Sequence, residues 1–383
     1  MNILWINKIT DAECWRATQL GLTKALRKKG HNVMLVMAKN IGENKYTDEN
    51  IIYFPTVSSS LLSGLFFGLV LSFYFPFFIW KKKPDVILVD GTSVWLPFTL
   101  TLKIFNIPLV MDIRTLPTKK NRDISFDLCL HLSKYMTAGL TTITPELEKI
   151  LRTKYNLKDK KIGIWPSGVS LEDFAKSNND NNTNDQMHSK NFVVMHHGSY
   201  KGSPRGVENL IKSIGKLDDS FKKSIELKIV GIPLEEQGIF LHLCEELNIE
   251  EQVKIIPQVK YDKIPSYIES SDVGVIPLAT NKKCWQVSVP LKTLEYLAMG
   301  KPIIATSISF HQKIFEKGEC GVLIDNNSPK ALSDAITYLY QNRTKLDFMG
   351  KTGREIVKNH YTWDKAAFEV ERFISTILAD FRK

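Results

Sequence analysis

At 383 residues the chain is long enough for two or three domains with substantial cores, at roughly 150 residues each. Its 43% hydrophobic and 24% charged residues are ordinary globular composition, a poor fit to wholesale disorder, a collagen-like fibre or a multi-span transporter. The 51 basic and 41 acidic residues give +10, and the surplus sits early: 23 against 15 in residues 1–174, 28 against 26 in the rest. A basic half of this kind can face nucleic acid, anionic lipid or a phosphorylated ligand, and composition does not choose among them.

The chain opens on an apolar, strand-like run at residues 2–7. It lacks the basic stretch and cleavage site of a secretory signal, so a cytoplasmic protein is expected. Further strand-like runs fall at 32–37, 85–90, 107–111 and 163–165, separated by helix-length stretches. Residues 61–80 carry no charge and run into Lys81, Lys82 and Lys83. That length matches a membrane span of ~20 residues. A span, however, would put strands 2–7 and 85–90 on opposite sides of the bilayer, whereas successive βα units of one sheet lie side by side. Gly64, Gly68 and Pro76 also weaken a straight spanning helix. A helix buried in the domain and a helix lying in the membrane surface are the other readings. The triple lysine and the basic surplus favour the last, so 61–83 is expected to attach the protein peripherally to an anionic membrane surface.

Residues 177–185 are polar and low in complexity, and read as part of a surface linker over 175–190. Strand-like runs then resume at 192–196, 225–230, 252–256, 272–276, 302–305 and 321–324. Short strands alternating with helices imply α/β domains with parallel sheets covered on both faces. Gly30 and Gly300 stand where a glycine ends a helix before the next strand. The chain closes on an amphipathic helix with Thr362 as cap and Trp363, Ala366, Ala367, Val370, Phe373, Ile374 and Ile377 on one face. Five scattered cysteines without metal-ligand spacing read as reduced thiols.

Residues 288–306 are the most informative segment. Ser288 can cap a helix and Pro290 suits its first turn, with Leu291, Leu294, Leu297 and Ala298 on the buried face. Lys292 and Glu295, three apart, share the neighbouring stripe. Free amides, the helix dipole and a lysine make an anion site, and a carboxylate one turn on can accept bonds from sugar hydroxyls. An exposed ion pair is the alternative. A second segment, 194–211, reads as a strand, a glycine-rich loop with Lys201 and Arg205, and a helix from about Gly206. His196 and His197 are adjacent on a strand, point to opposite faces and do not chelate one metal, so a structural role is expected for the pair.

These residues, with Gly30-His31, 165–169 and 227–231, resemble the retaining glycosyltransferases of family 4, which have the GT-B fold of two Rossmann-like doubly wound domains facing a central cleft. The resemblance spans nearly the whole chain. It implies an acceptor domain over 1–174 with 361–383 packing back on it, a donor domain over 191–360, and no required metal or other cofactor. By position it implies donor contacts at Gly198, Ser199, Arg205, Gly231, Pro290, Leu291, Lys292 and Glu295, with Arg205 and Lys292 meeting the leaving phosphates. Glu295 matches the second glutamate of the family's pair, which holds the donor ribose, while the first is replaced by Val287. Ser199 stands where the family has an arginine and Arg205 where it has a lysine. Asp112 and Arg114 fall where the family places catalytic residues, with a loop brace as the alternative and a covalent route through Asp112 left open. Arg16 is a candidate phosphate or acceptor contact.

The expected function is transfer of a sugar from a nucleotide diphosphate sugar to a lipid-linked or membrane-associated glycan, with retention. A sugar-nucleotide epimerase and a non-catalytic two-lobed binding protein are the rivals. Nucleic acid is not an expected partner, because the basic residues are not interleaved with a stacking motif.

Overall fold

The computed structural model describes residues 1–7, 16–40, 50–56, 63–91, 102, 104–117, 120–175, 191–198, 200 and 206–382. The linker residues 176–190, with Ser199 and Arg205, lie outside the described residues. Contacts divide the chain into one unit of Met1–Gly168 with Trp363–Lys383 and another of Val169–Thr362. The first break therefore falls at Gly168, six residues before the position expected from sequence.

The first unit is built on a seven-stranded sheet: β1 (Asn2–Asn7), β2 (Asn32–Asn40), β3 (Ile51–Thr56), β4 (Val86–Asp90), β5 (Leu109–Ile113), β6 (Gly139–Thr142) and β7 (Ile162–Ile164). The order is β3-β2-β1-β4-β5-β6-β7, and all pairs are parallel. The second unit has β8 (Phe192–His197), β9 (Ile225–Val230), β10 (Val253–Ile256), β11 (Val273–Ile276), β12 (Ile303–Thr306) and β13 (Gly321–Ile324), ordered β10-β9-β8-β11-β12-β13 and again all parallel. Parallel strands need crossovers that cover both faces, which is why central β1 and β8 are almost wholly buried. In each sheet the strand order reverses direction once, between β1 and β4 and between β8 and β11, and ligands of doubly wound sheets bind beyond the strand ends at such points.

Two strands fall outside the runs read from the sequence. β3 carries Pro55, which is tolerated because β3 is an edge strand. β6 starts at Gly139, where a Cβ would lie 2.7 Å from Ile377 Cδ1 and 2.9 Å from the Phe373 ring. A Cβ at Gly163 would likewise lie 2.6 Å from Phe373. The strands under the C-terminal Trp363–Phe381 helix thus trade side chains for close approach. That helix also packs on the Arg16–Lys28 helix, where Gly21 leaves room for Trp363, and its Glu371 bonds Lys29 at 2.8 Å and His31 at 2.9 Å.

Gly30 (φ +84°) and Gly300 (φ +68°) each end a helix with paired bonds that only a left-handed residue allows: Gly30 N to Arg27 O with His31 N to Leu26 O, and Gly300 N to Leu297 O with Lys301 N to Tyr296 O. The apolar segment forms the Ser63–Lys82 helix with Pro76 inside it. It packs against β3 and buries Leu71, Phe75 and Ile79, yet leaves Leu69, Phe73, Tyr74, Phe77 and Trp80 exposed. It is therefore not a fully buried helix, and among the described residues no helix is long and apolar enough to cross a membrane.

Candidate functional site

In the second unit Gly198, Gly231, Lys292 and Glu295, among the residues singled out by sequence, lie at the carboxyl ends of β8 and β9 and on the Leu291–Ala298 helix. Gly198 follows β8 at φ +139° and Gly231 follows β9 at φ +109°, conformations that exclude most side chains. Sterics exclude them as well. A Cβ on Gly231 would lie 2.6 Å from Gly198 O, and one on Gly198 would lie 2.8 Å from Lys292 Nζ. Gly231 is thus packed against Gly198, and Gly198 against the Lys292 ammonium.

The Leu291–Ala298 helix is capped differently from the expectation. Pro290, not Ser288, is the N-cap, and the Ser288 hydroxyl instead donates to Trp285 O at 3.0 Å, closing the preceding turn. Lys292 and Glu295 are 9% and 3% exposed, so they are no surface ion pair. Glu295 is held on both oxygens: Oε1 accepts from the Tyr261 hydroxyl at 2.6 Å and Oε2 from His197 Nε2 at 2.7 Å. His197 Nδ1 lies 2.9 Å from the Tyr296 hydroxyl, which donates to Met195 O at 3.0 Å. The phenol of Tyr261 is pushed well above its usual range by burial of the hydroxyl and by the Glu295 charge, although its ring keeps part of its surface in solvent. Behind the helix, buried His311 receives the Thr293 hydroxyl on Nε2 at 2.9 Å and bonds Thr306 O through Nδ1 at 2.6 Å. Burial pushes its pKa down to about 4, so it ties the helix to β12 as a neutral ring. His196 has a different partner, Val275 O at 2.9 Å, as opposite-facing neighbours on a strand require.

In the first unit a second cluster sits at the carboxyl ends of β4 to β7. Asp112 lies inside β5 rather than after it, and its register partner on β4 is Asp90. Asp112 Oδ1 accepts from the Thr141 hydroxyl at 2.7 Å, and Oδ2 lies 3.9 Å from Arg114 Nη1. Arg114 Nη2 donates to Ser167 Oγ at 2.6 Å while the guanidinium stacks 3.8 Å over the Trp165 ring. Trp5, edge-on to Trp165, donates its indole N–H to Asp90 Oδ1 at 3.3 Å. Among the described residues one cation thus faces two carboxyls, Asp112 buried and Asp90 partly buried. Burial and the neighbouring Asp112 push Asp90 up to about 8, so it holds a proton at neutral pH. Burial raises Asp112 too, opposed by Arg114, Thr141 and Trp165, and burial lowers Arg114, opposed by Asp112 and Asp90. Arg114 therefore braces the segment after β7 and neutralises Asp112.

Of the remaining expected contacts, Pro290 and Leu291 open the site helix, and Arg16 is described only as the first residue of the Arg16–Lys28 helix. Sequence reasoning missed Asp90, Tyr261 and the role of His197. Asp90 carried one usable signal, as the acidic last residue of an apolar strand beside the reversal of strand order. Among the described residues no group of three or more His, Cys, Asp or Glu is arranged to hold a metal ion.

Residues 19–173 match the family model described as Glycosyltransferase Family 4, and residues 179–356 match that described as Glycosyl transferases group 1. The capsular polysaccharide biosynthesis glycosyltransferase CapM of Staphylococcus aureus is 24% identical over 94% of this chain and 94% of its own. The chain spans 54% and 55% of the length of the first curated relatives it matches. Among solved structures, sucrose-phosphate synthase from Thermosynechococcus elongatus superposes with a TM-score of 0.79 at 18% identity, covering 99% of both chains. Anabaena HepE in complex with UDP superposes at 0.73 and 14% identity, covering 98% of this chain and 100% of that one. With both halves matched and the two parallel sheets in place, the chain belongs to the family 4 glycosyltransferases of the GT-B fold.

Proposed function

We propose that the protein is a retaining, metal-independent glycosyltransferase that moves a sugar from a nucleotide diphosphate sugar to a hydroxyl of a lipid-linked or membrane-associated glycan. The observation that carries this reading is the convergence of Gly198, Gly231, Lys292 and Glu295 at the strand reversal of the second unit. Glycines without side chains let backbone amides approach a diphosphate. The Leu291–Ala298 helix start and Lys292 supply the charge that the departing phosphate needs as the glycosidic bond breaks, with Arg205 as a further cation. Glu295 receives the ribose hydroxyls. UDP bound to Anabaena HepE supports a donor of this class. With no separate nucleophile required, a phosphate oxygen of the leaving group takes the acceptor proton on the same face of the sugar. From the first unit Arg114, whose side chain is 18% exposed, faces the acceptor, with buried Asp112 holding the guanidinium from behind.

The membrane part of the proposal rests on the Ser63–Lys82 helix. Phe73, Phe77 and Trp80 recur at helical spacing on its exposed side, and Lys81, Lys82 and Lys83 are exposed beside them. Aromatic rings that enter the interface beside cations that face anionic headgroups support peripheral attachment to the cytoplasmic membrane surface. The name of CapM is in keeping with a surface-glycan acceptor.

The test is a donor screen that follows nucleoside diphosphate release from UDP-, GDP-, ADP- and dTDP-sugars, with chelator present and with or without an extracted membrane-lipid fraction. Lipid-dependent release from one donor is expected, and replacing Phe73, Phe77 and Trp80 by Ser is expected to lower that lipid-stimulated release. Interconversion of a sugar nucleotide without lipid would establish an epimerase instead.

A further inference from the structure

A carboxylate on a helix has several staggered rotamers, and a contact to two neighbouring hydroxyls uses only one of them. For Glu295 that freedom is removed from outside its own helix. His197, the last residue of β8, holds Oε2 at 2.7 Å, and because a carboxylate only accepts, Nε2 carries the proton. The Nδ1 edge of the imidazole abuts the Tyr296 hydroxyl at 2.9 Å, which in turn lies 3.0 Å from Met195 O of β8. Gly274 makes room for the Tyr296 ring, since a Cβ there would run into it. The three side chains are buried: His197 is 4%, Tyr296 0% and Glu295 3% exposed. Oε1 is on the other side, against Tyr261, which is 42% exposed. Oε1 has two lone pairs, so beside the Tyr261 bond it can accept a second hydroxyl.

We propose that His197 is the positioning residue for the donor's ribose: by fixing Oε2 it presents Oε1 of Glu295 to the vicinal hydroxyls of the nucleotide sugar, and so makes the site selective for ribonucleotides over nucleotides without that diol. The inference rests on the donor-site reading above. It assigns to one histidine of the adjacent pair a function that alternation along the strand does not reveal.

The experiment is titration calorimetry of the full chain with UDP, GDP and ADP and with their 2′,3′-dideoxy counterparts, on wild type, His197→Phe and His197→Gln. Loss of one buried, charge-assisted bond reads as about tenfold or more in affinity. Wild type is expected to bind one ribonucleotide about tenfold or more tighter than its dideoxy form. His197→Phe is expected to lose about tenfold for the ribonucleotide while staying within about twofold of wild type for the dideoxy form. His197→Gln, whose amide keeps a donor, is expected to fall between, and it serves as the test should the Phe variant not fold. Equal weakening of both nucleotide forms, or none, would overturn the positioning role. A wild type that binds a ribonucleotide and its dideoxy form equally overturns the ribose contact. A wild type that binds no nucleotide overturns the donor-site reading itself.

Discussion

Lys292→Met is expected to lower kcat by roughly 100- to 1000-fold, the cost of removing one fixed stabiliser of the charge that develops on a leaving group, about 2.7–4 kcal/mol. The ammonium sits over the Gly198 backbone with the side chain 9% exposed, so its charge acts where water screens it little. Methionine keeps the apolar stem and its packing, so the melting temperature is expected to stay within a few degrees of wild type. Donor KM is expected to rise by much less than kcat falls, because the charge to be met is larger in the transition state than in the bound donor. Steady-state release of nucleoside diphosphate and a melting curve on the same preparation check both halves. Unchanged turnover would remove Lys292 from the site. Glu295 needs a gentler replacement. Ala at 295 would leave His197 Nε2 and the Tyr261 hydroxyl without their acceptor, each at about 1–3 kcal/mol, so lost activity would be confounded with lost stability. Gln keeps one acceptor and separates the two.

Asp90→Asn is expected to reverse much of the protein's loss of stability between pH 5 and pH 8. In the folded chain burial and Asp112 raise Asp90 from 3.8 to about 8. The unfolded chain gives up that proton near pH 4, while the folded chain keeps it until about pH 8. The folded state therefore binds the extra proton across this window, and stability falls as pH rises, at about 1.4 kcal/mol per pH unit, levelling off above pH 8. Asn cannot ionise, its carbonyl still accepts the Trp5 indole N–H, and Asp112 gains by losing a like-charged neighbour. The variant is expected to melt close to wild type at pH 5 and several degrees higher at pH 8. Parallel profiles of the two proteins would mean that Asp90 is ionised in the folded state, contrary to the one-cation, two-carboxyl arrangement around Arg114.

The contrast between these sites shows where sequence carries structure and where it does not. Central strands are legible because parallel pairing buries both faces and demands continuous apolar runs, as in residues 86–89 and 192–195. β6 was not, since its defining requirement is the absence of a side chain at Gly139 beneath Phe373 and Ile377, more than 230 residues away in the chain. Lys292 and Glu295 were legible from spacing on one helix. The partners of Glu295 were not, because His197 and Tyr261 come from two other elements and their identity is fixed only when β8, the turn after β10 and the helix assemble. Ser288 misled for a local reason: its hydroxyl had a nearer acceptor in the turn at Trp285 than the helix it precedes. Asp112 was found and Asp90 was not, although the two are register partners, because pairing between strands is not written in either strand alone.

The central claim is that Gly198, Gly231, Lys292 and Glu295 form a nucleotide-sugar site, and a crystal structure with the donor identified by the screen tests it most directly. The diphosphate is expected to lie against the Gly198 and Gly231 backbone within reach of Lys292 Nζ, and the ribose hydroxyls on Glu295. A nucleotide bound elsewhere on the second unit, or on the first, would contradict it.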